Sequence, residues 1–313
     1  MSGPDEFEQI ARLYRPLTKG AAEAFELLDD AAAIPSRPGF DLVVTKDAMV
    51  EGVHFLSGEA PSLIARKLLR VNLSDLAAKG AEPYGYFLAV AWPPNFGWPE
   101  RQAFAAGLAQ DGANLVLLGG DTVSTPGPLT LSLTMMGWVS AGKMIRRGGA
   151  RAGDLVMVSG TIGDGWLGLA AARGELDDPD GYLAGRYRLP TPRLDLRAAL
   201  RDHANAAADV SDGLIADAGH IAKASGAGLR LSLERLPLSP AAHRWLGGQD
   251  DRATALRALA SGGDDYEIVC AVAPDAVRIP GMTLIGEIVE GAGVDVLVDG
   301  VPIDPGPGGW RHG

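Results

Sequence analysis

A single cysteine, Cys270, occurs in the 313 residues, so no disulfide can form within the chain. It sits in the apolar run IVCAV, where a buried and inert thiol is expected, and such sparing use of cysteine suits a reducing compartment. No stretch approaches the roughly 18 apolar residues needed to cross a bilayer. The opening MSGPDEFEQIARLY has acids where a secretory leader carries Lys or Arg. A cytoplasmic protein with no membrane partner is expected. Basic charge is also scarce: the net charge is −11, with 13 basic and 16 acidic residues in 1–148 and 15 and 23 in 149–313. Neither half offers a cationic surface for phosphate neutralisation, so no nucleic-acid partner is expected. The five histidines (54, 203, 220, 243, 312) lack metal-ligand spacing, and with one cysteine they exclude a Cys/His zinc site.

Several phosphate-handling and nucleophile motifs are missing too. There is no G-x-x-x-x-G-K-[ST] loop, no G-x-S-x-G elbow and no protein-kinase motif set. GDGWLG (163–168) matches G-x-G-x-x-G. The acid-ended second strand that dinucleotide binding needs is absent from the following ELDDPDGYLAG, so a tight structural turn is the better reading.

What is present is a soluble-domain composition, with 47% apolar and 21% charged residues, and a length that suits about two domains. Apolar spacing predicts an amphipathic helix over 7–17, a long helix from Pro61-Ser62 to Gly80 with Ser62 as N-cap, and helices at 98–113, 166–173, after Pro192, and at 214–225. Strands are predicted at 42–45, 86–92, 115–118, 129–139, 155–159, 207–210, 229–233, 266–272, 283–289 and 294–298, with a Pro/Gly-rich tail. The Gly- and charge-rich SAGKMIRRGGARAGD reads as a linker, placing a boundary near 148 between domains 1–148 and 149–313. Both halves mix helices and strands without strict βαβ order, which favours α+β.

The informative pattern is where the aspartates fall. Apolar runs end beside Asp29 and Asp30, Asp47, Asp121, and Asp209 and Asp212, while Asp264 and Asp265 precede a strand. Asp75 instead lies inside the long helix, sharing a face with Asn72. Any one of these could be a cap or a turn residue. Together, carboxylates at strand ends would crowd one another, and cations relieve that repulsion. The available ligands are hard oxygens (Asp, Thr45, backbone carbonyls), which suit Mg²⁺ rather than Zn²⁺. Mg²⁺ with glycine turns points to bound phosphates.

The ordered set LDDAA, TKDAMVEGVHF, NLSDLAAKGA, GGDT, DVSDGLIADAGHI and SGGDDYE closely resembles the thiamine-monophosphate kinases, in the superfamily of the aminoimidazole-ribonucleotide synthetases. The resemblance runs from EFEQIARLYRP to GWRH. It implies a two-domain α+β fold whose N-terminal halves pair into a homodimer around a β-barrel-like centre, with the C-terminal half completing the active-site cleft. It implies ATP-dependent, Mg²⁺-assisted phosphorylation of thiamine monophosphate to thiamine diphosphate. Carried over by motif, Asp30, Thr45, Asp47, Asp75, Asp121, Asp209 and Asp212 would be metal ligands. Gly120, Asp121, Arg147 and Ser211 would contact ATP, and His54, Asp264 and Trp310 the thiamine compound. Trp310 also suits a cationic thiazolium through its ring face. Glu51 is assigned to a solvated loop.

Three departures stand out: Lys46 where Thr is usual after Thr45, Asp264 where Glu is usual, and Leu28 where Gly is usual before the Asp pair. Lys46 raises the question whether a fixed charge replaces one ion. The acceptor phosphate has a second pKa near 6 and is already anionic at neutral pH, so no general base is assigned and His54 is cast as a hydrogen-bond donor. The alternatives are a sister ATP-dependent synthetase and a non-catalytic metal–nucleotide binding protein on the same fold.

Overall fold

The computed structural model describes residues 6–276, 279–306 and 309. The chain divides into two compact units, one of residues 1–76 and 81–142, the other of 77–80 and 143–313.

The first unit begins with one short helical turn, α1 (Glu6–Gln9), which passes into a π-helical turn and then a 3₁₀ turn ending at Thr18. The expected single amphipathic helix is therefore broken: Pro16 in the 3₁₀ turn lacks an N–H, and Lys19 just beyond has left-handed backbone with φ 52°. Then follow β1 (Phe40–Val50), α2 (Pro61–Ala78), β2 (Glu82–Trp92), α3 (Trp98–Asp111), β3 (Val116–Ser124) and β4 (Thr130–Ser140). Helix α2 starts on Pro61, whose fixed φ suits a first helical position, so Ser62 lies inside the helix rather than capping it.

The four strands form an open sheet in the order β1-β4-β2-β3, antiparallel except for β2 with β3. One face is closed by apolar side chains: Val43 and Met49 on β1, Leu131, Leu133 and Met135 on β4, and Tyr86, Leu88, Val90 and Trp92 on β2. Trp92 meets Phe104 of α3 edge to face, with ring centroids 5.4 Å apart. Gly137 of β4 lies against Leu76 of α2. Leu42, Val44 and Val123, on the edge strands, remain exposed. Among the described residues, no closed barrel forms.

The second unit carries β5 (Leu155–Ser159), α4 (Asp164–Ala172), α5 (Tyr182–Arg188), α6 (Arg197–His203), β6 (Ala204–Asp209), α7 (Leu214–Ser225) and β7 (Gly228–Ser232). It continues with α8 (Pro240–Gly247), α9 (Arg252–Ser261), β8 (Ile268–Val272), β9 (Met282–Val289), β10 (Gly293–Val298) and β11 (Val301–Ile303). Its seven strands are ordered β11-β10-β7-β9-β5-β8-β6. Strand β8, between β5 and the edge strand β6, is buried throughout and includes Cys270, whose thiol is pushed up to about 12 by burial.

Four elements differ from the sequence reading. Helix α5 starts within the ELDDPDGYLAG segment read as loop, its first turn held by the Asp178 carboxylate, which accepts from the Leu183 and Ala184 N–H groups at 3.2 and 2.9 Å. Helices α8 and α9 were not expected; Ser239 and Asp251 cap them by accepting from the Ala242 and Thr254 N–H groups. Strand β11 lies in the tail read as Pro/Gly-rich coil. Among the described residues, no helix is long and apolar enough to cross a membrane.

Candidate active site

Strand β1 continues through Val50 instead of stopping at Thr45, and this fixes the direction of every side chain in TKD. Successive residues point to opposite faces. Val43, Thr45, Asp47 and Met49 share the helix-covered face, where the Thr45 hydroxyl donates to Asp75 Oδ2 from α2. Asp47 joins them, and its Oδ2 is buried without a hydrogen-bond partner. Burial, then the charge of Asp75, pushes Asp47 up to about 7. Two carboxylates and a hydroxyl thus crowd one another with no cation among the described side chains to answer Asp47. Nearby Asn72 is fully buried; its Nδ2 donates to the Leu68 carbonyl while Oδ1 is unpartnered.

Lys46 points the other way. Its ammonium donates to Ser132 Oγ at 2.8 Å and to Thr134 Oγ1 at 3.3 Å, both on β4. It therefore does not stand in for an ion between Asp47 and Asp75. By strand register, Ser132 pairs with Ala89, which pairs with Asp121, so Asp121 shares the face of Lys46 from the opposite edge of the sheet. The expected ligands of this unit are thus divided: Thr45, Asp47 and Asp75 meet, whereas Asp121 lies elsewhere.

Asp121 keeps different company. It lines a cavity of about 390 Å³ together with Asp29, Asp30, Gly120, Tyr14 and Phe87. The GGD motif belongs to β3 itself rather than to a turn after it. Gly120 is required there because a Cβ would come 1.9 Å from the Leu88 carbonyl oxygen. Leu28 needs no glycine: its φ is −106°, and the left-handed residues of this segment are Phe25, Glu26 and Leu27.

His54 follows β1 in a tight loop. The Val50 N–H donates to its Nδ1 at 3.0 Å. A nitrogen that accepts carries no proton, so the neutral ring holds its hydrogen on Nε2. That arrangement matches a donor and argues against Nδ1 as a base. The buried Lys67 donates to the His54 carbonyl at 3.1 Å. Glu51 corrects the solvated-loop reading: its Oε2 accepts from the Leu129 N–H at 3.3 Å, and its own N–H donates to the Leu129 carbonyl.

In the second unit, Asp209 is buried at the end of β6, and Ser211 and Asp212 lead into α7. Their loop is held from within the helix, because Asp217 Oδ2 accepts from the Ser211 and Asp212 N–H groups, each at 3.0 Å. Burial first, then Asp212, pushes Asp217 up to about 7. The Asp264 N–H donates to the Ser211 carbonyl at 2.9 Å, so a residue expected at ATP and one expected at substrate are joined by a hydrogen bond. Asp264 sits at φ 69°, and Arg147 is exposed. Trp310 lies outside the described residues.

The glycines of GDGWLG serve packing. A Cβ at Gly165 would meet the Asp264 carbonyl at 2.3 Å, and one at Gly168 the Leu183 carbonyl at 2.2 Å. Asp265 accepts from the Gly163 and Gly165 N–H groups at 2.7 and 2.9 Å. Glu267, fully buried, is met by Arg186 at 3.0 Å, by Arg193 Nε at 2.6 Å and by the Ser159 hydroxyl at 2.6 Å.

Sequence reasoning missed Lys67, Asp217 and Glu267. Only Asp217 left a usable signal, its i,i+3 spacing to His220 on a predicted helix.

Comparison with known proteins gives the site a context. Residues 28–139 match the model of the AIR synthase related protein, N-terminal domain, and 151–299 that of its C-terminal domain. The chain is 59% identical to the thiamine-monophosphate kinase of Caulobacter vibrioides, over 99% of this chain and 91% of that protein. Among solved structures, it resembles the thiamine-monophosphate kinase of Stenotrophomonas maltophilia K279a, with TM-score 0.78 and 39% identity over 88% of this chain and 90% of that one. It also resembles AaThiL complexed with AMPPCP and TMP, with TM-score 0.80 and 30% identity over 98% and 96% of the two chains.

Proposed function

The chain belongs to the AIR synthase related family and within it to the thiamine-monophosphate kinases, and from that membership we infer how its own residues support ATP-dependent phosphorylation of thiamine monophosphate to thiamine diphosphate. The observation that carries the reading is the unanswered Asp47 Oδ2 beside Asp75 and Thr45. A buried carboxylate oxygen without a donor, next to a second carboxylate, fits a cation, and an all-oxygen donor set fits Mg²⁺. Asp30, Thr45, Asp47, Asp75 and Asp121 of the first unit, and Asp209 and Asp212 of the second, are the residues that would hold Mg²⁺. When bound, Mg²⁺ neutralises and aligns the two polyanions that must approach each other.

The chain's own residues bind and orient. Gly120, Asp121, Arg147 and Ser211 are assigned to ATP; the Ser211 N–H is fixed by Asp217, and Gly120 keeps β3 close to β2 beside the Asp30 cavity. His54 Nε2–H, Asp264 and Trp310 are assigned to the thiamine compound. An acceptor phosphate that is anionic at neutral pH leaves His54 free to donate rather than to abstract a proton.

A homodimer through the first unit's sheet accords with its open edges and with exposed Leu42, Val44 and Val123. Closure of two such sheets would give the barrel-like centre. The lone buried Cys270 accords with a cytoplasmic setting.

The test is formation of ADP by purified protein with ATP, Mg²⁺ and thiamine monophosphate, compared with thiamine itself. Asp121→Asn should keep the fold and lose about 100-fold or more in turnover, the scale of removing one group that stabilises developing charge. Turnover equal to wild type would remove Asp121 from the ligand set, and no turnover by folded wild-type protein would overturn the reading.

A further inference from the structure

Helix α7 carries a second, chemically different constellation. One carboxylate oxygen each from Asp212 and Asp217, and one ring nitrogen of His220, lie within 4.8 Å of one another. Asp217 is 1% exposed. Its Oδ2 is used twice, by the Ser211 and Asp212 N–H groups, while its Oδ1 is buried with no partner. Arg147 is close enough to act on Asp217 electrostatically, yet it leaves Oδ1 unpartnered. An orphaned buried carboxylate oxygen is costly, and each such group in a native fold calls for an explanation such as an ion.

The spacing supports an ion. Two ligands on one metal stand at most about 4.4 Å apart, so three atoms already within 4.8 Å need shifts of only a few tenths of an ångström. Asp217 and His220 stand at i and i+3 on one helix, and Asp212 is tied to the same helix by its N–H bond to Asp217. The site is thus preformed on a rigid element. Its donors differ from those of the first unit: an imidazole nitrogen replaces a hard oxygen, which shifts preference from Mg²⁺ toward transition metals.

We propose that Asp212, Asp217 and His220 form a binding site for a divalent transition-metal cation of the Mn²⁺ class, with His220 as the ligand that selects it over Mg²⁺. The site deepens the proposed reading of Asp212 as a metal ligand and rests on that reading through Asp212 alone. His220, on α7 beyond the loop that carries Ser211, then makes the metal preference of this unit different from that of the Asp47 and Asp75 pair.

The test uses full-length protein, stripped by chelator and titrated with Mn²⁺ alone, without nucleotide. Pulsed electron paramagnetic resonance should show ¹⁴N coupling from one coordinated imidazole in the wild type. In His220→Ala that coupling should vanish and the affinity of the Mn²⁺ site should fall by about tenfold or more, the scale seen when a metal's ligand support is removed. Bound Mn²⁺ without ¹⁴N coupling in the wild type, or coupling that survives in His220→Ala, overturns the proposal. If Asp212→Asn weakens Mn²⁺ binding while no ¹⁴N coupling is ever seen, the cation reading of Asp212 stands and this site falls. Turnover plays no part in the readout, so failure of the kinase reading would register separately, as absent ADP formation with the ¹⁴N signal intact.

Discussion

Glu267 in the second unit and Asp47 in the first are both carboxylates removed from water, and they are treated in opposite ways. Glu267 is fully buried and surrounded by Arg186, Arg193 and a donating serine hydroxyl. Asp47 has a buried oxygen with no donor and a second carboxylate that raises its pKa further. Desolvation cost is similar in kind for both. In one place the chain supplies the compensating charge itself; in the other it leaves the charge for something else to supply. On the proposed Mg²⁺ reading, charge compensation inside the fold separates a carboxylate that holds structure from one kept for a ligand. Asp217, with one oxygen accepting two hydrogen bonds and the other orphaned, stands between the two.

The strongest way to break this comparison is at Glu267. Glu267→Ala leaves two guanidinium groups without their shared acceptor and should cost about 3–5 kcal/mol, read as a lower urea midpoint or as loss of soluble protein. A variant that unfolds like wild type would show that the cluster is ornamental to stability.

The opposite sign is expected at Asp47. Its folded pKa of about 7 lies above the unfolded carboxylate value of about 4. The fold therefore favours the protonated acid, and that contribution, complete below about pH 4, is lost as pH rises through about 7. In chelator, Asp47→Asn should gain on wild type across this window by about 1–3 kcal/mol, the cost of an unsatisfied buried group. Excess Mg²⁺ should stabilise wild type and leave the variant behind. Melting curves at several pH values decide it, and an advantage that is flat in pH would dismiss the argument.

The smallest effect sharpens the comparison by face. Lys46→Thr removes an exposed ammonium held by two hydroxyls and should change stability by no more than about 0.5 kcal/mol, with the Mg²⁺ dependence of turnover unaltered. A shifted Mg²⁺ dependence would place Lys46 in the metal chemistry despite its direction.

Much of this was legible in the sequence, for identifiable reasons. Carboxylates beside apolar runs marked Asp47, Asp121 and Asp212 as candidates, although Asp47 and Asp121 lie within strands that continue past them. Strand lengths were harder. Lys46 and Asp47 read as the end of a strand because they are polar, yet β1 continues through them with one on each face. The glycines of GGD read as punctuation, whereas Gly120 is there so that β3 can approach the Leu88 carbonyl. The compensation of Glu267 was invisible because Arg193 and Arg186 lie 74 and 81 residues away in sequence. The α7 constellation is hidden for another reason: the i,i+3 relation of Asp217 to His220 is visible in sequence, but it gains meaning only once the fold brings Asp212 beside both.

The pairing of β1 with β4 has a bearing on how the protein comes into being. Its partners are distant along the chain, from Val50 with Thr130 to Phe40 with Ser140. Such contacts form only after a long loop is closed, and their rate is set by topology more than by local preference. Asp47 rides on that strand and meets Asp75 only once the strand has docked. A cation gripping both would arrive after the slow step, so added Mg²⁺ should leave the refolding rate unchanged and slow unfolding alone, making the metal a latch on the finished unit rather than a template for building it.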